Sequence, residues 1–444
     1  MARTLLAELV EINTTVSFGS TKAAEAMASR LRAGGIPEKN ILLLGARPDR
    51  MNLVVRLQGR GQGKPMLLLA HLDVVEAPVE GWSQGVEPFR LTERDGWFYG
   101  RGVVDNKHAA AQLVTNIIRL HAEGFIPNRD ILVALTADEE AGNANGVYWL
   151  AQERKDLTDV AYCLNFDSGG GNVEKGRHVV MSVQTSEKVY MSFRLETQSP
   201  GGHSSLPFGK NAIYQLAEGL ARLSVYQFPF RFNETTRTYF RRIAETKKGG
   251  FADDLRALAS DSPDLGAARR VADSSAYLNA ILHTTCAATR LEAGHADNAL
   301  PQSARAIVNC RTFPGDSREF VQRMIVDALA DTGITVTASA AGQPSPVSPM
   351  LPEVMEPVER TATALWPGIA VVPVMDPWAT DGARLRRAGI PTFGVSGTFV
   401  GEDGGNAHGA NERLPVTSYY EGLEFMYVLL KDLSSSSQAT HYRR

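Results

Sequence analysis

Cysteine is scarce in this chain: three in 444 residues, Cys163, Cys286 and Cys310, none of them in a Cys-x-x-Cys pair. That excludes a thiolate-rich structural metal site. All three sit in apolar, strand-like stretches, so they read as small core hydrophobes and not as a disulfide framework. Long apolar runs are missing too; none approaches the ~20 residues of a membrane span. There is no extended basic block, and the formal net charge is -3, which argues against a nucleic-acid partner. No signal-like apolar core follows Met1-Ala2-Arg3, so the expectation is cytoplasmic. A periplasmic or secreted location stays open if an export signal has been removed. No internal repeat is visible, and the low-complexity tail from Ser434 through Ser437 to Arg444 is expected to fray.

What is present is a soluble composition, 43% hydrophobic and 21% charged, in a chain too long for one ordinary core. Met66 to Ala70 is an unbroken apolar run that ends in His71-Leu72-Asp73. Strand periodicity puts positions 71 and 73 on one side of a strand end. Tyr99-Gly100-Arg101-Gly102 leads through Val103 and Val104 to Asp105-Asn106-Lys107, a glycine-rich turn that delivers a carboxylate just before a helix. Ile131 to Thr136 is a second buried strand, followed directly by Ala137-Asp138-Glu139-Glu140. Val160 to Phe166 is a third, ending in Asp167.

Strands alternating with helices (Thr21 to Ala33, His108 to Glu123) indicate an α/β fold with a mainly parallel sheet flanked by helices. Such sheets bind ligands beyond the carboxyl ends of their strands, where His71, Glu139, Glu140 and Asp167 all fall. From Lys188 to Glu196 the pattern alternates like a half-exposed antiparallel strand. A glycine-rich loop follows, Ser199-Pro200-Gly201-Gly202-His203, then a helix from Ala212. A polar, partly helical stretch covers Asn233 to Asp273, with strand-like segments at Ala280 to Leu291 and Ala304 to Arg311. This is read as an inserted α+β domain, 187–342, interrupting a catalytic domain of 1–186 and 343–444. His108 and His121 fall on a helix, His178 and His295 in polar loops, His283 on a strand and His441 in the tail; none carries a functional case.

Five motifs in order now carry a resemblance: Ala70-His71-Leu72-Asp73, Tyr99 to Lys107, Ala137 to Glu140, Gly202-His203-Ser204-Ser205, and Asn406-Ala407-His408-Gly409. The chain resembles metallopeptidase family 20, the co-catalytic zinc exopeptidases and deacylases that include carboxypeptidase G, aminoacylase, carnosinase and succinyl-diaminopimelate desuccinylase. The resemblance implies a zinc-exopeptidase-like catalytic domain with a lid that also dimerises. It implies two divalent metal ions per chain, with Asp105 bridging, His71 and Glu140 on one ion, and Asp167 and His408 on the other. It also implies a cis peptide at Asp105-Asn106. Imidazole and carboxylate donors without thiolate independently suit zinc first, then cobalt or manganese.

In that scheme Glu139 is the general base and later the acid, and Asp73 orients a ligating histidine. His203, Asn298 and Arg311 bind substrate, His203 reaching across a homodimer and Arg311 gripping a carboxylate. The chain departs from its relatives at Ala379-Thr380-Asp381-Gly382, so the resemblance does not carry the shape of the pocket. The expected activity is hydrolysis of an amide next to a free carboxylate. Dipeptidase or carboxypeptidase action comes first and N-acyl-amino-acid deacylation second. A catalytically silent metal-binding scaffold is the rival from another class, and Glu139 beside a full ligand set argues against it.

Overall fold

A computed structural model describes residues 1–140, 142–174, 176–207, 209–401 and 404–435. Of the tail expected to fray, Ser434 and Ser435 instead close the helix Val416–Ser435 with Ser434 buried, and 436–444, with His441, lie outside the described residues. The chain divides into two compact units. One comprises Met1–Thr185, Ser348–Val374 and Thr380–Arg444; the other comprises Ser186–Val347 with Met375–Ala379.

The first unit is built on a nine-stranded sheet. Its centre is parallel: Ile131–Thr136, Met66–His71, Tyr162–Asn165 and Thr392–Val395 lie side by side in that order. Met66–His71 and Ile131–Thr136 are buried at every position, which is why each reads as an unbroken apolar run rather than an alternating one. Asn52–Leu57 and Ile41–Leu44 extend one side antiparallel, and Arg177–Glu187 pairs antiparallel on the other. Lys107–Ala122 buries Leu113, Val114 and Ile117 in the same core as Leu68 and Leu135. Each such aliphatic side chain contributes about 1.5–3 kcal/mol on full burial. A separate three-stranded sheet joins Arg413–Pro415, Trp97–Tyr99 and Thr92–Arg94.

The second unit carries a four-stranded antiparallel sheet in the order Thr285–Ala293, Ser303–Thr312, Val189–Gln198, Thr335–Ala341. Helices Ala212–Val225 and Arg318–Leu329 bury Leu216, Leu223, Val321 and Ile325 in a core shared with Met191, Phe193 and Val308.

Four expectations need correction. Ala280 to Leu291 is not one strand: Ala276–Leu282 is a helix whose N-terminus is capped by Ser275, and the strand begins at Thr285. His283 therefore closes a helix, and it bridges to Phe230 instead of lying in a strand. His178 is on the strand Arg177–Glu187, not in a loop. Cys286 and Cys310 form a disulfide, while Cys163 is free and buried. The pair meets because strand register sets Cys286 directly opposite Cys310, a relation that cysteine spacing along the chain does not encode.

Candidate metal centre and active site

The parallel strands end on one rim, and each delivers a polar side chain there. His71 terminates its strand, 2% exposed. Its Nδ1 is 3.0 Å from the Asp73 carbonyl oxygen, so Nδ1 donates that bond and Nε2 is the ring nitrogen turned toward the rim carboxylates. That Nε2 lies 2.8 Å from Asp105 Oδ1 and 3.2 Å from Asp167 Oδ1. The other oxygen of Asp105 is 3.0 Å from His408 Nε2, which is also 2.9 Å from Glu140 Oε1. Asp105 thus faces one imidazole with each oxygen. Donor atoms of His71, Asp105 and Glu140 also lie within 4.8 Å of one another. The short contacts, however, sort the five residues differently from the pairing implied by the resemblance: His71 goes with Asp167, and His408 goes with Glu140. The peptide Asp105-Asn106 is cis, and the Asn106 amide donates to Asp167 at 3.0 Å.

Glu139 and Glu140 sit on a turn that is clamped from two sides. The backbone N–H groups of Glu139 and Glu140 donate to the two oxygens of Asp73, at 3.1 and 2.9 Å. Asp138 has a left-handed backbone, φ 56°. Its buried carboxylate pairs with Arg50 at 2.7 Å, and its carbonyl accepts from Asn145. Asp73 therefore holds both the His71 end and the Glu139-Glu140 turn. Asn145 also donates to the buried Asp381 at 2.7 Å.

A second clamp was not visible in the sequence. Glu412, fully buried, accepts from the Arg101 guanidinium at 2.6 Å and from the backbone N–H groups of Gly102, Val104 and Asp105. Arg101 also donates to the carbonyls of His408 and Gly409. One buried ion pair thus fixes the loops that carry both Asp105 and His408.

The charges at the rim are out of balance. Carboxylates of Asp73, Asp105, Glu139, Glu140 and Asp167 surround only two imidazoles. Burial and the neighbouring Asp167 and Asp381 push Glu139 well above the usual carboxylate range. Burial pushes Asp167 up to about 7 and Asp73 up to about 6. Hydrogen bonds to Asp105 and Glu140 push His408 up to about 10. Burial opposes protonation of His71, yet Asp167 and Asp105 hold it well above its ordinary value. Asp105 is held far below its own, since its hydrogen bonds with His408 and His71 outweigh burial. A buried cluster that must draw protons onto its ligands to offset its own charge is a donor set suited to divalent cations.

The remaining expected residues lie in the second unit. His203 pairs with Ala299, and the N–H of Ser204 donates to the Asn298 carbonyl at 3.0 Å, so His203 and Asn298 are side by side. His203 is exposed, with its Nδ1 2.7 Å from the Ser205 hydroxyl. Arg311 is half-buried opposite Tyr190, its guanidinium 4.9 Å from the ring centre.

The family model of peptidase family M20/M25/M40 matches residues 67–432. Among curated proteins, the chain is 29% identical over 390 residues to the human N-fatty-acyl-amino acid synthase/hydrolase PM20D1, covering 84% of this chain and 75% of that one. It is 25% identical to a probable carboxypeptidase S-like protein of Dictyostelium discoideum, covering 83% and 72%. Among solved structures, a metallo-carboxypeptidase of Sulfolobus solfataricus superposes with a TM-score of 0.73 at 17% identity, covering 98% of this chain and 99% of that one. Human carnosine dipeptidase 1 superposes at 0.69 and 15% identity, covering 98% and 96%.

Proposed function

The chain belongs to peptidase family M20/M25/M40 and is a metal-dependent hydrolase of amide bonds; from that premise we propose that it cleaves an amide next to a free carboxylate, using two divalent ions, zinc first. The observation that carries this reading is Asp105, with one oxygen toward His71 and the other toward His408. One ion would be held by His71, Asp105 and Asp167, the other by His408, Asp105 and Glu140. Ions bound there would supply Lewis acidity toward the substrate carbonyl and water. Glu139 takes a proton from an attacking water as the water oxygen adds to the carbonyl carbon. It then returns the proton to the nitrogen of the breaking C–N bond, so amide and water leave as carboxylic acid and amine, which exchange a proton to become carboxylate and ammonium. Asp73 keeps Glu139 in place through the backbone N–H, leaving the Glu139 carboxylate free to exchange that proton. His203 and Asn298 are proposed to donate to the substrate carbonyl, and Arg311 to bind the carboxylate.

The second unit, 187–342 in its sequence bounds, is proposed as lid and dimerisation domain, with His203 serving the neighbouring chain. Mixing an inactive His203→Ala chain with an inactive Glu139→Gln chain then restores activity in hybrid dimers. No recovery despite demonstrated subunit exchange removes the cross-subunit role.

Two substrate classes fit: small peptides and N-acyl amino acids. The similarity to PM20D1 favours the second. A panel of dipeptides and N-acyl amino acids, assayed with added zinc, cobalt or manganese, decides between them. No helix among the described residues is long and apolar enough to cross a membrane. The Cys286–Cys310 disulfide favours an oxidising compartment over the expected cytoplasm.

A further inference from the structure

Thr14 and Thr15 follow the first helix, Ala2–Glu11, and are 0% and 1% exposed. Threonines mostly stay at the surface, and a polar side chain buried this completely needs a partner. Asn13 sets the turn into the pair, its side-chain oxygen accepting from the Thr15 N–H at 3.0 Å. Thr14 then meets the chain just beyond the strand Met66–His71. Its hydroxyl donates to the Leu72 carbonyl at 2.8 Å, and its own carbonyl accepts from the Val74 N–H at 3.3 Å.

Asp73 lies between those two contacts, so one residue holds the backbone on both sides of it. Asp73 passes that placement on in two directions. Its carbonyl accepts from Nδ1 of His71, and its carboxylate accepts from the N–H groups of Glu139 and Glu140.

The flanks of the same segment reach the rest of the rim. The Val16 carbonyl accepts from the Arg50 guanidinium, whose Nε pairs with Asp138 at 2.7 Å, next to Glu139. The Ile12 carbonyl accepts from the Lys107 ammonium at 2.8 Å. Lys107 is 0% exposed and stands two residues after Asp105. Residues 12–16 are thus tied by polar contacts to the segments of Asp73, Asp105 and Glu139. They lie before residue 67, where the family match begins.

We propose that Thr14 is a positioning residue for hydrolysis, setting the His71 ring and the Glu139 turn through Asp73. This rests on the metal-centre reading above and adds what holds its supports in place. Asp73 reaches each of those groups through single hydrogen bonds, so a tilt of its own backbone displaces the imidazole and the Glu139 turn together. Bonds on both sides of Asp73 oppose that tilt. A packing role alone would not need the hydroxyl, since valine fills nearly the same space; only the polar contact separates the two side chains.

The test compares wild type, Thr14→Val and Thr14→Ser, each loaded with cobalt, on whichever dipeptide or N-acyl amino acid the wild type cleaves. Thr14→Val lowers kcat about tenfold with KM nearly unchanged. It also shifts the visible absorption of bound cobalt, which follows ligand geometry. Thr14→Ser, which keeps the hydroxyl, restores both. Leu9→Val, a core change in the preceding helix, lowers the melting temperature while kcat and spectrum below it stay at wild-type values. Wild-type kcat and spectrum in Thr14→Val overturn the proposal, as does a loss that Thr14→Ser fails to restore or that Leu9→Val matches. If Thr14→Val does not fold, Lys107→Met takes its place, keeping the apolar stem and removing the bond to Ile12. The same kcat loss and spectral shift support the brace, and wild-type values overturn it. If the wild type binds no cobalt and cleaves none of these compounds, the metal-centre reading fails. The brace is then decided by amide hydrogen exchange over 71–74 and 138–140: faster exchange in the variant supports it, and equal exchange overturns it.

Discussion

The polar rim of the first unit and the proposed substrate-binding face of the second are made in opposite ways. At the rim, His71, Asp73, Asp138 and Glu412 are almost entirely buried, and each meets partners from distant parts of the chain, His71 through Asp105 and Asp167. On the other face, His203 is exposed against Ser205 and Arg311 leans half-buried on Tyr190. The difference separates two jobs. Groups that steer a proton and hold ions tolerate little displacement, so their supports are saturated. Groups that meet a substrate must be reached by it, and stay accessible.

The comparison is sharpest at Glu139, a rim residue that the account leaves out of the ligand set. Glu139→Gln should lose ~10²–10⁴-fold in turnover while metal content, measured by elemental analysis, stays at the wild-type level. Near-normal turnover would move the base to another residue.

Glu412 tests whether the rim depends on its clamp. Glu412→Gln leaves the Arg101 guanidinium buried without a charged partner, which costs about 3–5 kcal/mol. Both the melting temperature and the metal affinity should fall, because one carboxylate supports the loops of Asp105 and His408 together. A lowered melting temperature with unchanged metal affinity would confine Glu412 to the fold.

Arg311 should behave as a member of the second region. Charge-assisted hydrogen bonds contribute roughly 1.5–3 kcal/mol, so Arg311→Ala should reduce kcat/KM on the order of ten- to a hundredfold for a free-acid substrate. Its C-terminal amide should suffer far less, with metal content untouched. Lysine should rescue only in part, lacking the planar fork. Equal losses on acid and amide would make Arg311 a support of the sheet.

How much of this was legible in the sequence follows from the range of each interaction. The strands Met66–His71 and Ile131–Thr136 are written in consecutive apolar residues, so the rim and the polar residues placed at its strand ends could be read directly. The Arg101–Glu412 clamp spans 311 positions and depends on a small three-stranded sheet that no local pattern announces. The Cys286–Cys310 bond depends on strand register, and Asp381 comes to Asn145 from 236 positions away. The helix Ala276–Leu282 was available in principle from its Ser275 cap, but its apolar run also suits a strand. The proposed division of ligands between two ions rests on side-chain distances, which spacing along the chain does not contain.

The central claim is that Asp105 joins two metal positions, and metal stoichiometry in active protein tests it most directly. Enzyme stripped with a chelator should be inactive. On remetallation with zinc, cobalt or manganese, activity should return as two ions bind per chain by elemental analysis, and Asp167→Asn and Glu140→Gln should each reduce the count to one. Full activity with a single ion per chain would contradict the account.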